Sequence, residues 1–216
     1  MERTTTDRKG MNMISQLKHL FGDSFIGPDE LRPFVERLGW EGEIPVPEMN
    51  YPLTELEKYA NDYILVMGLP RIGNKEITIR SLREVFGVDP DVSEPCFYNQ
   101  DWYMNEAFID QTLESRWYLV RKRVVEASRA VMPEELMTQH YVFPTAILCA
   151  FTFFAYYFRY GEHLWYHDFV WCSDVDHNGD RIYVGKYHDV DGVNKNGFSV
   201  HRHLALRACY AAVTMI

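Results

Sequence analysis

Two acidic, glycine-bearing stretches hold the side chains of this chain best suited to chemistry. The first is Asp174-Val175-Asp176-His177-Asn178-Gly179-Asp180. The second is Asp189-Val190-Asp191-Gly192-Val193-Asn194-Lys195-Asn196-Gly197. Carboxylate and amide oxygens at alternate positions are what a hard cation such as calcium requires, while Asn-Gly and Asp-Gly are also what tight β-turns require. Counted from Asp174 against a helix–loop–helix calcium loop, Asp176, Asn178 and Gly179 fall where ligands and the turning glycine belong. Gly185 then stands where the bidentate glutamate is needed, and Arg181 where an apolar residue is expected. The flanks read as strands. The first stretch is therefore expected to be a hairpin loop before it is a cation site, with Asp174, Asp176, Asn178 and Asp180 as the metal candidates.

The eight histidines form the second reservoir of chemistry. His201 and His203 alternate and would share one strand face, whereas His163 and His167, four apart, would share a helix face. His188 precedes the second acidic stretch. Such a set suits zinc, but Glu162-His163 does not supply the His-Glu-x-x-His order of a helix-borne zinc protease. Nucleophile-elbow, phosphate-loop and dinucleotide fingerprints are missing from the sequence. Asn99 to Glu106 combines Asp101 and Glu106 with Trp102 and Tyr103, a set that suits a sugar, or else a helix cap and core rings.

The elements that must position these residues come from periodicity and punctuation. Met13–Phe21 and Pro28–Leu38 read as short amphipathic helices, with Pro33 the weak point of the second. Thr54 with Glu57 reads as a capping box opening a helix that runs to Met67 and stops at Gly68. Lys75–Phe86 contains a helix, Gln100–Leu113 reads as another, Arg116–Val120 as a strand, and Val124–Met132 as a helix closed by Pro133. No formal charge interrupts Tyr141 to Phe158, but its tyrosines and threonines, with Arg159 following, make it a buried core helix with Pro144 in the first turn. Beyond Gly161 the pattern changes to strands at Asp168–Cys172, Arg181–Tyr187 and Gly197–His201, and then a last apolar element at Leu204–Val213. The class expected is α+β: a helical N-terminal part followed by a small antiparallel sheet at the C-terminal end. The expected organisation is a disordered tail over 1–12, a mainly helical region over 13–160, and a β-rich region over 161–216 packed on the helices as one unit.

Composition narrows the function. The net charge of −9 gives no broad basic face, and the one cluster, Arg121-Lys122-Arg123, reads as a solvated edge, so nucleic acid is not expected as a partner. Four cysteines without a Cys-x-x-Cys pair, and an N-terminal stretch lacking an apolar run, point to a reduced, cytoplasmic protein. Cys149 and Cys209 read as small buried hydrophobes. No membrane association is expected. Aromatics make up 15% of the residues, enough for a heavily aromatic core with rings to spare for a ligand.

The C-terminal third carries a resemblance. Asp168–Cys172, then Ser173-Asp174-x-Asp176-x-x-Gly179-Asp180-Arg181-x-Tyr183-Val184-Gly185, then Asp191-Gly192-Val193-x-Lys195-x-Gly197-Phe198, resembles uncharacterised bacterial and phage-associated proteins. Their ends look like the C-type-lectin-like fold shared with formylglycine-generating enzymes. Those enzymes use a closely spaced cysteine pair, whereas Cys172 and Cys209 lie far apart here. The resemblance thus implies a binding scaffold with irregular loops on a sheet, and not that activity.

The function expected is non-enzymatic binding of a protein, small molecule or sugar through the loops at 174–180 and 188–203. The contact residues expected are Asp174, Asp176, Asn178, Asp180, Asp189, Asp191, Asn194, His201 and His203. No cofactor is required, calcium or zinc being the candidates if a metal binds. The alternative is a metal-dependent hydrolase using His163, His167, His201 or His203 with nearby aspartates.

Overall fold

The computed structural model describes residues 5–186, 197–202 and 206–216, and of residues 5–12 only the helical backbone. The chain is α+β. Helices α1 (Thr5–Phe21), α2 (Pro28–Arg37), α3 (Leu53–Tyr59), α4 (Ile79–Phe86), α5 (Pro133–Thr138) and α6 (Ala146–Tyr160) precede most of the C-terminal strands. The first helix thus begins at Thr5, inside the stretch expected as tail. Pro33 is tolerated within α2. That helix starts at Pro28, where a missing N–H costs nothing, and Glu30 accepts the Gly27 N–H at 3.3 Å and pairs with Lys18 at 2.6 Å.

A first sheet forms within the part expected to be mainly helical. Strand β1 (Phe25–Ile26) pairs parallel to β2 (Tyr63–Met67), which pairs antiparallel to β5 (Trp117–Arg121). Strands β3 (Arg71–Ile72) and β4 (Lys75–Glu76) form a separate two-stranded ribbon. The helix expected from Thr54 to Met67 is corrected to α3 followed by β2. Every residue of β2 is buried, with a strand on each side and core on both faces. A short apolar run buried all round carries no period that separates helix from strand. The outer side of β5 is covered by the last residues: Arg121 N donates to Thr214 O at 3.0 Å and Ile216 N to Leu119 O at 3.3 Å.

Two further helices expected from the sequence are absent. Gln100–Leu113 is turns and one 3-10 turn at Ala107–Asp110. Its backbone is engaged from outside, since Arg83 donates to Gln100 O at 3.2 Å and Arg80 to Met104 O at 3.0 Å. Asp101 pairs with Arg83 at 2.7 Å and does not cap a helix. Val124–Met132 keeps only a 3-10 turn at Glu126–Ser128, because Val125 N and Ala130 N donate to Ala212 O and Tyr210 O, both at 2.9 Å. Pro133 opens α5 and does not close a helix.

The C-terminal sheet runs β8-β7-β6-β9, from β6 (Phe169–Val175), β7 (Arg181–Gly185), β8 (Ser199–His201) and β9 (Tyr210–Ala211). Its first three strands are antiparallel, and β9 joins parallel to β6. A Cβ at Gly185 would run into the Asp168 carbonyl, so the close approach of these strands needs glycine there. The side of β8 away from β7 is occupied by Trp102 Nε1, which donates to Val200 O at 3.0 Å. Tyr98 N donates to Phe198 O at 2.9 Å just before that strand.

Helix α6 lies between this sheet and helices α2 and α4. All residues from Ala146 to Tyr156 are buried. Phe154 stacks on Phe86 at 4.4 Å between centroids and on Phe97 at 5.0 Å, and Phe151 meets Phe34 edge-on at 5.1 Å. This is the buried core helix expected; no helix among the described residues is long and apolar enough to cross a membrane. Pro144 lies just outside it, since Thr145 is the N-cap, accepting from Leu148 N at 3.2 Å. The outer face of the sheet carries a second, aromatic cluster of Phe169, Trp171, Tyr183 and Tyr210, closed over by Leu136 and Phe143.

Candidate functional site at the β6–β7 loop

The loop between β6 and β7 is built around one carboxylate. Asp176 Oδ1 accepts the N–H groups of Asn178 and Asp180, both at 2.8 Å. Asp176 N donates to Asp180 O at 2.9 Å and Gly179 N to Asp176 O at 3.0 Å, closing the turn. Gly179 has φ of +87°, the left-handed backbone that glycine adopts without a Cβ clash. The stretch is therefore the hairpin loop expected, with β6 extended to Val175, opposite Arg181.

The other oxygen of Asp176 pairs with Arg202. The same guanidinium lies 3.7 Å from Glu106 Oε1 and 4.5 Å over the Trp102 ring. Glu106, with a side chain only 7% exposed, reaches into the loop from the 3-10 turn side. Its Oε2 accepts the His177 N–H at 2.9 Å and its Oε1 lies 2.6 Å from His177 Nδ1. Burial opposes ionisation of Asp176, but the donors from Asp180, Arg202 and Asn178 overcome it and hold the carboxyl down at about 2. Two carboxylates, an imidazole and a guanidinium thus form one connected network, with the His177 ring 65% exposed at its edge.

Glu106, Asp176 and His177 bring three potential ligand atoms within 4.8 Å of one another, the one such group among the described residues. A cation there would have to displace Arg202. From its sequence neighbours Glu106 reads only as half of a sugar-type carboxylate pair, and Arg202 carries no chemistry of its own beside His201. The signal available is that Arg202 follows His201 directly, and neighbouring residues of an extended chain face opposite ways.

The remaining candidates go elsewhere. Asp174 is buried on the inner face of β6, where its carboxylate accepts the Ala146 N–H at 2.6 Å at the start of α6. Burial pushes its carboxyl upward, and that N–H limits the rise. Asp174 and Asp176 therefore point into different surroundings and share no site. Asn178 is exposed and Asp180 half-buried, both at the loop's outer side. His201 sits on the outer face of β8, stacked on Tyr183 at 5.6 Å and edge-on to Phe169 at 5.0 Å, with Nδ1 3.3 Å from Gln100 Nε2. Burial pushes its imidazole down to about 4, so the ring is neutral near pH 7. Asp189, Asp191, Asn194 and His203, together with His188, lie outside the described residues.

His163 and His167 do not share a helix, because α6 ends at the left-handed Gly161. His163 stacks on Tyr157 at 4.6 Å and places Nε2 3.2 Å from Glu94 Oε1, which also holds the fully buried Lys186 ammonium. His167 lines an open depression of about 480 Å³ with Arg129, Arg207, Ala208 and Cys209. A smaller depression of about 230 Å³ lies between Trp40, Pro45, Leu69 and Ile72. Neither reaches the β6–β7 loop. Cys149 is fully buried as expected, whereas Cys209 is half-buried.

Compared with known proteins, the chain matches no family model, no curated protein sequence and no solved structure.

Proposed function

We propose that this is a non-enzymatic binding protein that meets a protein or small-molecule ligand, including a sugar, with its β6–β7 loop. The observation that carries the reading is that the oxygens of Asp176 and Glu106 are engaged by Arg202, by the loop N–H groups and by His177 Nδ1, while the His177 ring and Asn178 stay exposed. A catalytic carboxylate or a metal ligand needs an available lone pair, and here one oxygen of each carboxylate accepts loop N–H groups while the other meets Arg202 or His177. A loop fixed before binding loses little conformational entropy when a ligand arrives, as suits a recognition surface on a rigid sheet. The C-type-lectin-like scaffold, the cytoplasmic setting and the exclusion of nucleic acid belong to the same proposal, the last supported by the net charge of −9.

The test is a thermal-shift screen of the purified chain against oligosaccharides, nucleotides and peptides, with each hit titrated on wild type and on a His177→Ala/Asn178→Ala double variant. At least tenfold weaker binding by the variant is expected. Hits that bind both proteins equally, or that are turned over, would remove the proposal.

A second reading rests on the convergence of Glu106, Asp176 and His177: a metal site, with zinc or calcium, in a metal-dependent hydrolase. Elemental analysis decides it. Stoichiometric metal that is lost in Glu106→Gln supports a metal centre. Metal-free protein with no micromolar cation binding by calorimetry leaves the loop as a recognition element.

A further inference from the structure

Cys149 and Cys172 are distant in sequence and meet in the core. The contact is set by two hydrogen bonds at the start of α6: Ala146 N donates to Asp174 at 2.6 Å, and Ser173 N donates to Pro144 O at 2.9 Å. Residues two apart on a strand share a face, so Cys172 faces α6 as Asp174 does, and Cys149 stands about one helical turn along from Ala146. Both residues belong to the same buried core cluster, and Cys172 Sγ donates to Val170 O at 3.8 Å. Both residues are 0% exposed. Burial and the neighbouring thiol push the Cys172 thiol well up, so at rest the pair is an inert part of the core. Cys96 lies instead beside Glu94 and Lys186, and Cys209 lines the open depression with Arg129 and His167.

We propose that Cys149 and Cys172 are an oxidisable dithiol, a modification site that a peroxide converts into an intramolecular disulfide joining α6 to β6. When this part of the core opens, one thiol loses its proton and attacks a peroxide oxygen. The O–O bond breaks, giving a sulfenic acid and one water from hydrogen peroxide. The second thiol then displaces the sulfenic hydroxyl as a second water and forms the S–S bond. Two electrons and two protons pass from the thiols to the peroxide, and nothing else is consumed. The product closes a covalent ring around the Gly161 turn and ties down the strand that leads directly into the Asp176 loop. The modification stands whether or not that loop binds a ligand.

The experiment exposes the full chain to hydrogen peroxide overnight, then unfolds it in denaturant with iodoacetamide and maps it by mass spectrometry. The expected result is a loss of about 2 Da and a linked peptide pair carrying Cys149 and Cys172, reversed by dithiothreitol. Cys209→Ser should keep the cross-link, although Cys209 is the most exposed of the four thiols. Cys149→Ser should lose it. Because Cys149→Ser could disturb the core, the wild-type peptide map decides alone. Alkylation of both Cys149 and Cys172 after oxidation, their separate oxidation to sulfinic acids, or a cystine through Cys96 or Cys209 instead, each overturns the proposal.

Discussion

Replacing Asp176 with Asn tests the central interaction of the loop with little change of shape. The amide oxygen still accepts the N–H groups of Asn178 and Asp180, but the charge that meets Arg202 is gone. The native carboxyl titrates at about 2 against an ordinary value of 3.8, and each unit corresponds to about 1.4 kcal/mol. The carboxylate is covered by its own loop and Arg202, yet it lies at the rim with little protein around it, so solvent screens part of the attraction. We therefore expect Asp176→Asn to cost about 1–2 kcal/mol at pH 7. The carboxyl is depressed in the folded state, so its contribution is complete above the unfolded value and is lost as pH falls from about 4 towards 2; by pH 3 about half remains. The assay is urea unfolding followed by fluorescence of the five tryptophans, for wild type and variant at pH 7 and pH 3. A penalty that is constant over this range, or that grows at pH 3, would refute the role given to the Asp176–Arg202 pair. Arg202→Met in the Asp176→Asn background should add less than it does in wild type, since the two changes remove the same contact.

Gly179→Val should lower stability by about 1–2 kcal/mol, because a β-branched residue is strained at φ +87°; an unchanged melting temperature would contradict the loop conformation. Phe154→Asp should abolish soluble expression, as it places a charge between Phe86 and Phe97 at a position with no exposure; well-folded variant protein would show that this face is not core. The His201 ring should titrate at about 4 by proton NMR. Folding favours its neutral form, so this contribution is complete above about 6.5 and declines as pH falls towards 4; a midpoint near 6.5 would show the ring to be solvated.

Residues that act locally were legible in the sequence. Asn178-Gly179 between two β-rich runs specifies a hairpin whatever packs around it, because the turn's backbone angles belong to those residues. The apolar run from Ala146 to Tyr156, lacking a polar face, specifies a helix surrounded by protein. What the sequence left open depends on partners far along the chain. Ile64-Leu65-Val66 becomes a strand because β1 and β5 lie on either side of it, and no periodicity within those residues encodes that. Gln100–Leu113 loses its helix to arginines from α4 and to the Val200 carbonyl, donors and acceptors that no window around it contains. The same holds for the site. The acidic stretch could be found by eye, but Asp174 and Asp176, two residues apart, are divided between a helix start and an arginine. Asp176 is joined instead to Glu106, whose place beside it is set by how the 3-10 turn packs against the sheet. Local backbone preference travels with the residue, whereas the pairing of buried charges is decided only once the chain has closed around them.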